Sequence, residues 1–322
     1  MVGLNERIDL KNKNYDLIAV GEVLIDMISK DYSDGFECDT FIRHFGGSPA
    51  NIAINTRKLG INSIIASSVG RDALGDFLLE RLKKSGVETT LVNRVEKPTS
   101  MVFVTKSKSS PRAIFYRGAD YLIEYSSDLE KAVKNSKILH FSTWPISMQP
   151  SRQTIERLLM VAKENGCIIS FDPNFHTDLW EDGEFGREYV KKTIKYADII
   201  KPSEDDAERI FGRDDLDKQI DKFHELGAKL VLMTLGKDGI IVSNGKDKFK
   251  LASLATEVVD TTGAGDAFWS GFYAGITSRR SILESVEIGQ RVSAFKLKYV
   301  GAIAPLECLA ELTNNSRTQE IK

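Results

Sequence analysis

Cysteine, histidine and proline are scarce in this chain: three, four and eight residues in 322. The thiols Cys38, Cys167 and Cys308 are odd in number and widely spaced, with no C-x-x-C and no histidine at ligand spacing. That excludes a disulfide framework and a cysteine zinc site as organising devices, and a reducing cytoplasm is the expected location. No block of one charge sign is present either, since 44 Lys plus Arg stand against 46 Asp plus Glu. A nucleic-acid backbone asks for a basic face, so nucleic acid is not an expected partner. Long apolar runs are also missing. No stretch would span a bilayer, the first residues lack the basic end and apolar core of an export signal, and no membrane partner is expected. Residues up to about Lys13 read as a loose tail. His44, His140 and His224 have no partner at base or ligand spacing and read as structural.

What is present is apolar residue at 42% and charged residue at 28%, enough for one large core. Short apolar runs ("DLIAV", "SIIAS", "KILHF", "CIISF", "ADIIK", "KLVLM") alternate with segments of helical period ("PANIAINTRKLG", "ALGDFLLERLKKSG", "SRQTIERLLMVAKENG", "SILESVEIGQRVSAFKLKY"). That alternation predicts an α/β fold, a mostly parallel sheet with helices on both faces. Two stretches break it, "MISKDYSDGFECDTFIRHF" and "TSMVFVTKSKSSPRAIFYRG". They read as antiparallel strands standing apart. The expected division is a core of residues 14–30, 46–97 and 120–322 with a β-sheet lid of 31–45 and 98–119.

The stretch "VVDTTGAGDAFWSGF" leaves a β-branched pair, passes through Gly263 and Gly265 and enters a helix at Asp266. Gly263, Ala267, Gly271 and Gly275 recur every four residues, so one helical face is small along its length and built for close packing. At the helix start, Gly263, Ala264 and Gly265 leave the first N–H groups open, and these carry the positive end of the helix dipole. An anion is the natural ligand there, and Asp266 could take a proton from an attacking hydroxyl. A second glycine pair leads into a helix in "FGGSPANIAINTRKLG", where Ser48 reads as N-cap, Pro49 as first helical residue and Asn51 as pointing its amide near the helix start.

Taken together, "GGSPANIAINTRKLG" and "DTTGAGDAFWSGF", in that order, resemble the two signatures of the ribokinase-like, or PfkB, carbohydrate kinases. The resemblance runs from "AVGEVLIDM" through "KYVGAIAP". It implies a three-layer αβα core with a small β-sheet lid, with ATP and a sugar as partners, Mg²⁺ accompanying the nucleotide, and a homodimer formed through the lid. It also implies Asp266 as catalytic base and Gly263, Ala264 and Gly265 as the anion hole. Asp26, Gly46, Gly47 and Asn51 would hold sugar hydroxyls. "MTLGKDGIIV" resembles the segment lining ATP, which puts Thr234, Gly236, Lys237 and Gly239 beside the nucleotide. Ser203-Glu204-Asp205-Asp206 stands where the family carries Asn-x-x-Glu near magnesium, so Ser203 is assigned to ATP and Asp206 to Mg²⁺. Gln290 falls at an adenine-side Asn. Asp260 and Thr262 resemble the monovalent-cation loop of many members, which would take K⁺.

For the sugar, "RAIFYRGADYLI" and "FDPNFHTDLW" resemble fructokinases, with His176 where an Arg is usual. Phe115 and Arg117 would then close over the substrate, with Phe103 and Asn174 as further contacts. Fructose is the acceptor this reading prefers. The alternatives are 2-keto-3-deoxygluconate, another acceptor of the family, or a non-catalytic sugar- or nucleotide-binding protein.

Overall fold

Short runs of Ile, Val and Leu, apolar at successive positions, become strands buried on both faces. The computed structural model, which describes residues 2–32, 37–106 and 112–306, gathers them into one nine-stranded sheet. Along the chain come β1 (Tyr15–Val20), β2 (Leu24–Tyr32), β3 (Phe41–Gly46), α1 (Ser48–Lys58), β4 (Ser63–Gly70), α2 (Ala73–Lys84), β5 (Glu88–Val95), β6 (Met101–Lys106) and β7 (Arg112–Tyr116). Next are α3 (Ser127–Lys134), β8 (Ser136–Ser142), α4 (Thr143–Ile146), α5 (Ser151–Glu164), β9 (Ile168–Asp172), α6 (Gly183–Ile194), β10 (Ile199–Ile200), α7 (Glu204–Phe211) and α8 (Leu216–Glu225). The chain continues through β11 (Leu230–Thr234), β12 (Ile240–Ser243), β13 (Lys248–Leu251), α9 (Ala264–Thr277) and α10 (Ile282–Lys296).

The sheet order is β13-β12-β11-β10-β9-β8-β1-β4-β5, and among its pairs only β11–β12 and β12–β13 are antiparallel. Side chains alternate across it. Ile18 and Val20 face the layer of α3 and α5 to α8, while Leu17 and Ala19 face that of α1, α2, α9 and α10. β1 lies between β4 and β8, where the strand order reverses, and the carboxyl ends of strands open a crevice at such a point. Glu22 just after β1, Asp172 at the end of β9, Lys201 after β10 and Thr234 at the end of β11 all reach this edge. The small face of α9 meets α10 as its spacing predicts. A Cβ on Gly271 would stand 2.8 Å from the Ile288 carbonyl oxygen, and one on Gly275 would stand 2.6 Å from Ser285 Cα.

The two stretches without helical period form a second sheet, ordered β3-β2-β6-β7. Its outer pairs are antiparallel as expected, but the central β2–β6 pair is parallel. It also begins at Leu24 rather than at residue 31, because Leu24 already pairs with Gly46 and Ile25 with Met101. Asp26 therefore rides on the lid. The N-terminal segment departs from the loose tail expected of it: Leu4 is buried, Ile8 and Leu10 pack on the same cluster, and Leu4 and Glu6 carbonyls accept from Leu283 and Ile282 N–H at 3.1 and 3.0 Å. Three apolar side chains suffice to dock an otherwise polar strip against the start of α10. No helix among the described residues is long and apolar enough to cross a membrane.

Candidate active site

Gly263 caps α9 with left-handed backbone, φ 72° and ψ 11°, and a Cβ there would stand 2.5 Å from that of Ala302. Both facts demand glycine. The Ala264 N–H is taken by the Thr261 carbonyl at 3.1 Å, so it drops out of the expected trio of open amides. Among the described residues the N–H groups of Gly263, Gly265 and Asp266 have no protein acceptor, so the turn keeps the expected amides of Gly263 and Gly265 and gains that of Asp266. Asp266 itself is buried, at 9% exposure. Ser48 Oγ donates to its Oδ1 at 2.6 Å and Asn51 Nδ2 to its Oδ2 at 2.9 Å. Burial pushes this carboxyl above its usual range, while the two donors and the ammonium groups of Lys201 and Lys296 hold it back. Ser48 is not the N-cap expected of it: α1 starts at Ser48 itself, Gly47 is the capping residue, and the hydroxyl is spent on Asp266.

Across from Asp266 stands Asp26, with Gly46 pressed so close that a Cβ would fall 2.2 Å from Asp26 Oδ2. Burial, and then the charge of Asp266, push the Asp26 carboxyl up to about 7. Glu22, pushed to about 8 chiefly by burial, accepts from Ser48 N–H at 3.0 Å through Oε1. Its Oε2 and the Oδ1 of Asn51 are buried without a partner among the described residues. Unpaired buried acceptors are costly, and a ligand bearing several hydroxyls would relieve them. Asp26, Gly46, Gly47, Asn51 and Asp266 are thus brought together, and Glu22 and Ser48 join them unforeseen. For Glu22 the signal was available: a charged residue directly after the apolar run "DLIAVG" ends up at the carboxyl edge of the sheet.

The lid residues divide. Val102 pairs with Asp26 and with Phe115, so these share a face, and the Phe115 ring lies 5.3 Å from Trp144 and 5.9 Å from His176. Phe103 pairs with Met27 and Ile114, one residue out of phase, and so lies on the opposite face, against Phe41 and Tyr116. It is not beside the sugar groups. Arg117 is not free to close over a substrate either. Its Nε and Nη2 donate to Asp120 Oδ2 at 2.9 and 2.6 Å, and Nη1 donates to Ser147 Oγ and the Leu179 carbonyl at 2.6 and 3.2 Å. Asp120 is fully buried and also accepts from Trp144 Nε1 at 2.6 Å, so the pair is an internal clamp. Asn174 is exposed just beyond β9, with φ 35°.

On the other side of the α9 turn lies a cleft of about 680 Å³. Ser203, Thr234, Gly236, Lys237, Gly239 and Gln290 all line it, together with Gly265 of the turn. The six residues assigned to the nucleotide from sequence thus share one space. Gln290 Nε2 donates to the Ala252 carbonyl at 2.8 Å, which fixes the side chain along the wall. Asp206 does not face the cleft as a free carboxylate. Its Oδ2 accepts from Ser203 N–H and Oγ at 3.0 and 2.7 Å and its Oδ1 from Phe175 N–H at 2.7 Å, because it closes a capping box at the start of α7.

Residues 14–308 match the family model of the pfkB family carbohydrate kinases. The chain belongs to that family. It is 58% identical over 306 residues to the ATP-dependent 6-phosphofructokinase of Thermoanaerobacterium thermosaccharolyticum, covering 95% of each chain. Among solved structures it is similar to the fructokinase of Halothermothrix orenii, at TM-score 0.78 and 36% identity, covering 87% of this chain and 99% of that one. A sugar kinase from Pyrococcus horikoshii, solved in complex with ATP, matches at TM-score 0.81 and 30% identity over 92% and 97% of the two chains. This PfkB chain is therefore an ATP-dependent carbohydrate kinase with the ribokinase-like fold.

Its groups for cations can be tested against that family reading. No cluster of three or more metal-ligating side chains occurs among the described residues, but a magnesium ion that arrives on phosphates needs only one or two carboxylates and water. Glu204 and Asp205, both exposed on the cleft wall, fit that need better than Asp206. The loop assigned to K⁺ does not fit. Asp260 Oδ1 accepts from Thr262 N–H at 2.9 Å and Oδ2 from Gly301 N–H at 2.7 Å, while the Asp260 carbonyl is held by Lys296 Nζ at 2.7 Å. Two lysines of this PfkB kinase thus escaped the sequence reading. Lys296 is one, and Lys201 is the other, its Nζ 3.3 Å from Asp172 Oδ2 and 3.4 Å from where a Cβ on Gly265 would stand.

Proposed function

We propose that this kinase transfers the γ-phosphoryl group of ATP to a primary hydroxyl of a fructose unit, with Asp266 as general base. The observation that carries the reading is the position of Asp266. It lies on the turn that separates the nucleotide cleft from the pocket of Asp26, Glu22 and Asn51. Hydroxyls of the sugar pair with Asp26, Glu22 and Asn51, which leaves one primary hydroxyl toward Asp266. That hydroxyl gives its proton to Asp266 as its oxygen attacks phosphorus in line. The free N–H groups of Gly265 and Asp266, with Lys201 beside them, receive the charge that develops on the transferring group. Mg²⁺ bound with ATP would neutralise phosphate charge at the Glu204 and Asp205 end of the cleft.

Fructose 6-phosphate is the acceptor favoured by the 58% identical relative, which moves it ahead of the free sugar that the sequence reading preferred. Fructose is the second reading, supported by the fructokinase likeness at 36% identity. Initial rates with Mg-ATP and fructose 6-phosphate, fructose, 2-keto-3-deoxygluconate or ribose decide. A kcat/KM for fructose at least tenfold above that for its 6-phosphate reverses the order, and no ADP release with any acceptor favours a binding protein.

The lid supports a homodimer. Its face away from Asp26 carries Phe41, Phe103, Ile114 and Tyr116, the last two 41% and 56% exposed, and a second copy of this lid would cover them. Tyr116→Asp is then expected to convert a dimer into a monomer in light scattering, and a monomeric wild type would remove the proposal.

A further inference from the structure

We propose that the ε-ammonium of Lys296 is a built-in monovalent cation, fixed behind the anion-accepting turn, and that it makes turnover independent of K⁺. The inference rests on the kinase reading above and adds the source of a charge that the loop of Asp260 and Thr262 was expected to take from solution. Lys296 ends α10 and is fully buried, at 0% exposure. Lysine almost never reaches that state unless its charge is used, because an ammonium taken out of water costs several kcal/mol. Yet among the described residues it has no carboxylate within ion-pair distance, and its one hydrogen bond, 2.7 Å, goes to the Asp260 carbonyl.

The surroundings explain the arrangement. Val259 and Asp260 N–H both donate to the Leu297 carbonyl, at 2.8 and 3.3 Å, and the Asp260 carboxylate is tied on one side to Thr262 and on the other to Gly301. The segment leading into Gly263 is thereby bound to the end of α10, and Lys296 reaches back underneath it. A carbonyl oxygen on a buried loop is the type of ligand that K⁺ takes. Here that oxygen carries an ammonium instead, and both oxygens of the carboxylate that could have shared a metal ion already accept a backbone N–H. The charge of Lys296 is felt by Asp266 as well as by Asp260. It therefore adds to the field of the turn in a site where fixed charge counts for more than in water. Lys296 touches no reacting atom, so it is a positioning residue.

The test compares rates in potassium chloride with rates in choline chloride at equal ionic strength, for the full chain and for Lys296→Met, which keeps length and apolar stem. Wild-type kcat is expected to be the same in both salts within about twofold, and its melting temperature equally unmoved. Lys296→Met is expected to lose roughly 10- to 100-fold in kcat in choline chloride, with ATP KM changed much less, and to regain at least a part of it in potassium or ammonium chloride. K⁺ should also raise the melting temperature of the variant alone. A wild type activated several-fold by K⁺ overturns the proposal, as does a folded variant whose loss no monovalent cation repairs. If the variant does not fold, the wild-type comparison still decides. Failure of the kinase reading shows differently, as no turnover in either salt, and the salt response of the wild-type melting temperature then tests the cation alone.

Discussion

Ser48 and Asn51 each give a hydrogen bond to Asp266, and both bonds favour the carboxylate over the acid. Removing one therefore raises the pH at which the base is protonated. Ser48→Ala is expected to move the acid limb of the kcat profile upward by about one to two pH units, since a hydrogen bond to a charged group contributes about 1.5–3 kcal/mol. An unmoved limb would mean that another group titrates there. Asp266→Asn keeps the shape and removes the basicity. Its kcat should fall by roughly 10²–10⁴ with sugar and ATP affinities nearly kept, and a variant retaining more than about a tenth of the rate would show a merely structural carboxylate. Asp266 and Gly263 were legible in the sequence because the logic of a glycine turn and a helix start is local. Glu22 could have been found from its place directly after β1, but Lys201, Lys296 and the bond from Ser48 to Asp266 could not, because these contacts form only when ends of distant strands and helices meet at one sheet edge.

Between elements, Arg117 shows what period alone misses. It follows β7 directly, and its spacing on a strand suits a residue that closes over a sugar. Its guanidinium instead joins the end of the lid to α4 and to Leu179, against a carboxylate with no exposure. Arg117→Ala leaves Asp120 buried and unpaired, so a loss of about 3–5 kcal/mol in chemical denaturation is expected, ahead of any selective rise in sugar KM. Unchanged stability with a raised sugar KM would return Arg117 to the substrate. Six of the nine core strands (β1, β4, β8, β9, β10 and β11) and four of the helices follow directly from apolar runs and helical period, while β5, β12 and β13 do not. The parallel β2–β6 pair does not, because strands separated by more than sixty residues of chain choose partners by tertiary packing rather than by local pattern. Phe103 was misplaced for the related reason that a shift of one residue on a strand turns a side chain to the other face.

Over the whole molecule, an uncommon set of buried acids makes stability fall as pH rises. Asp172, Asp26 and Glu22 titrate near 6, 7 and 8 in the folded chain, above their ordinary values of 3.8, 3.8 and 4.5. The folded state holds these protons longer than the unfolded state does, so their stabilising share is complete below about pH 4 and is lost on passing through 6 to 8. His140, pushed down to about 3 by burial, works in the opposite direction, but only below its ordinary 6.5. The window from pH 6.5 to 8 is therefore governed by the acids. Without ligands, the melting temperature should drop there by roughly 3–6 °C, and Asp26→Asn should flatten part of that slope. A flat wild-type profile would show that these carboxyls are solvated.

The α9 turn also bears on the path of the phosphoryl group. The nucleotide cleft lies on one side of the turn, which offers amide groups and a carboxylate that accepts from Ser48 and Asn51. With Asp266 as the proposed base, transfer is expected to pass directly from donor to acceptor inside a ternary complex, and exchange of label between ADP and ATP in the absence of sugar is expected to be undetectable.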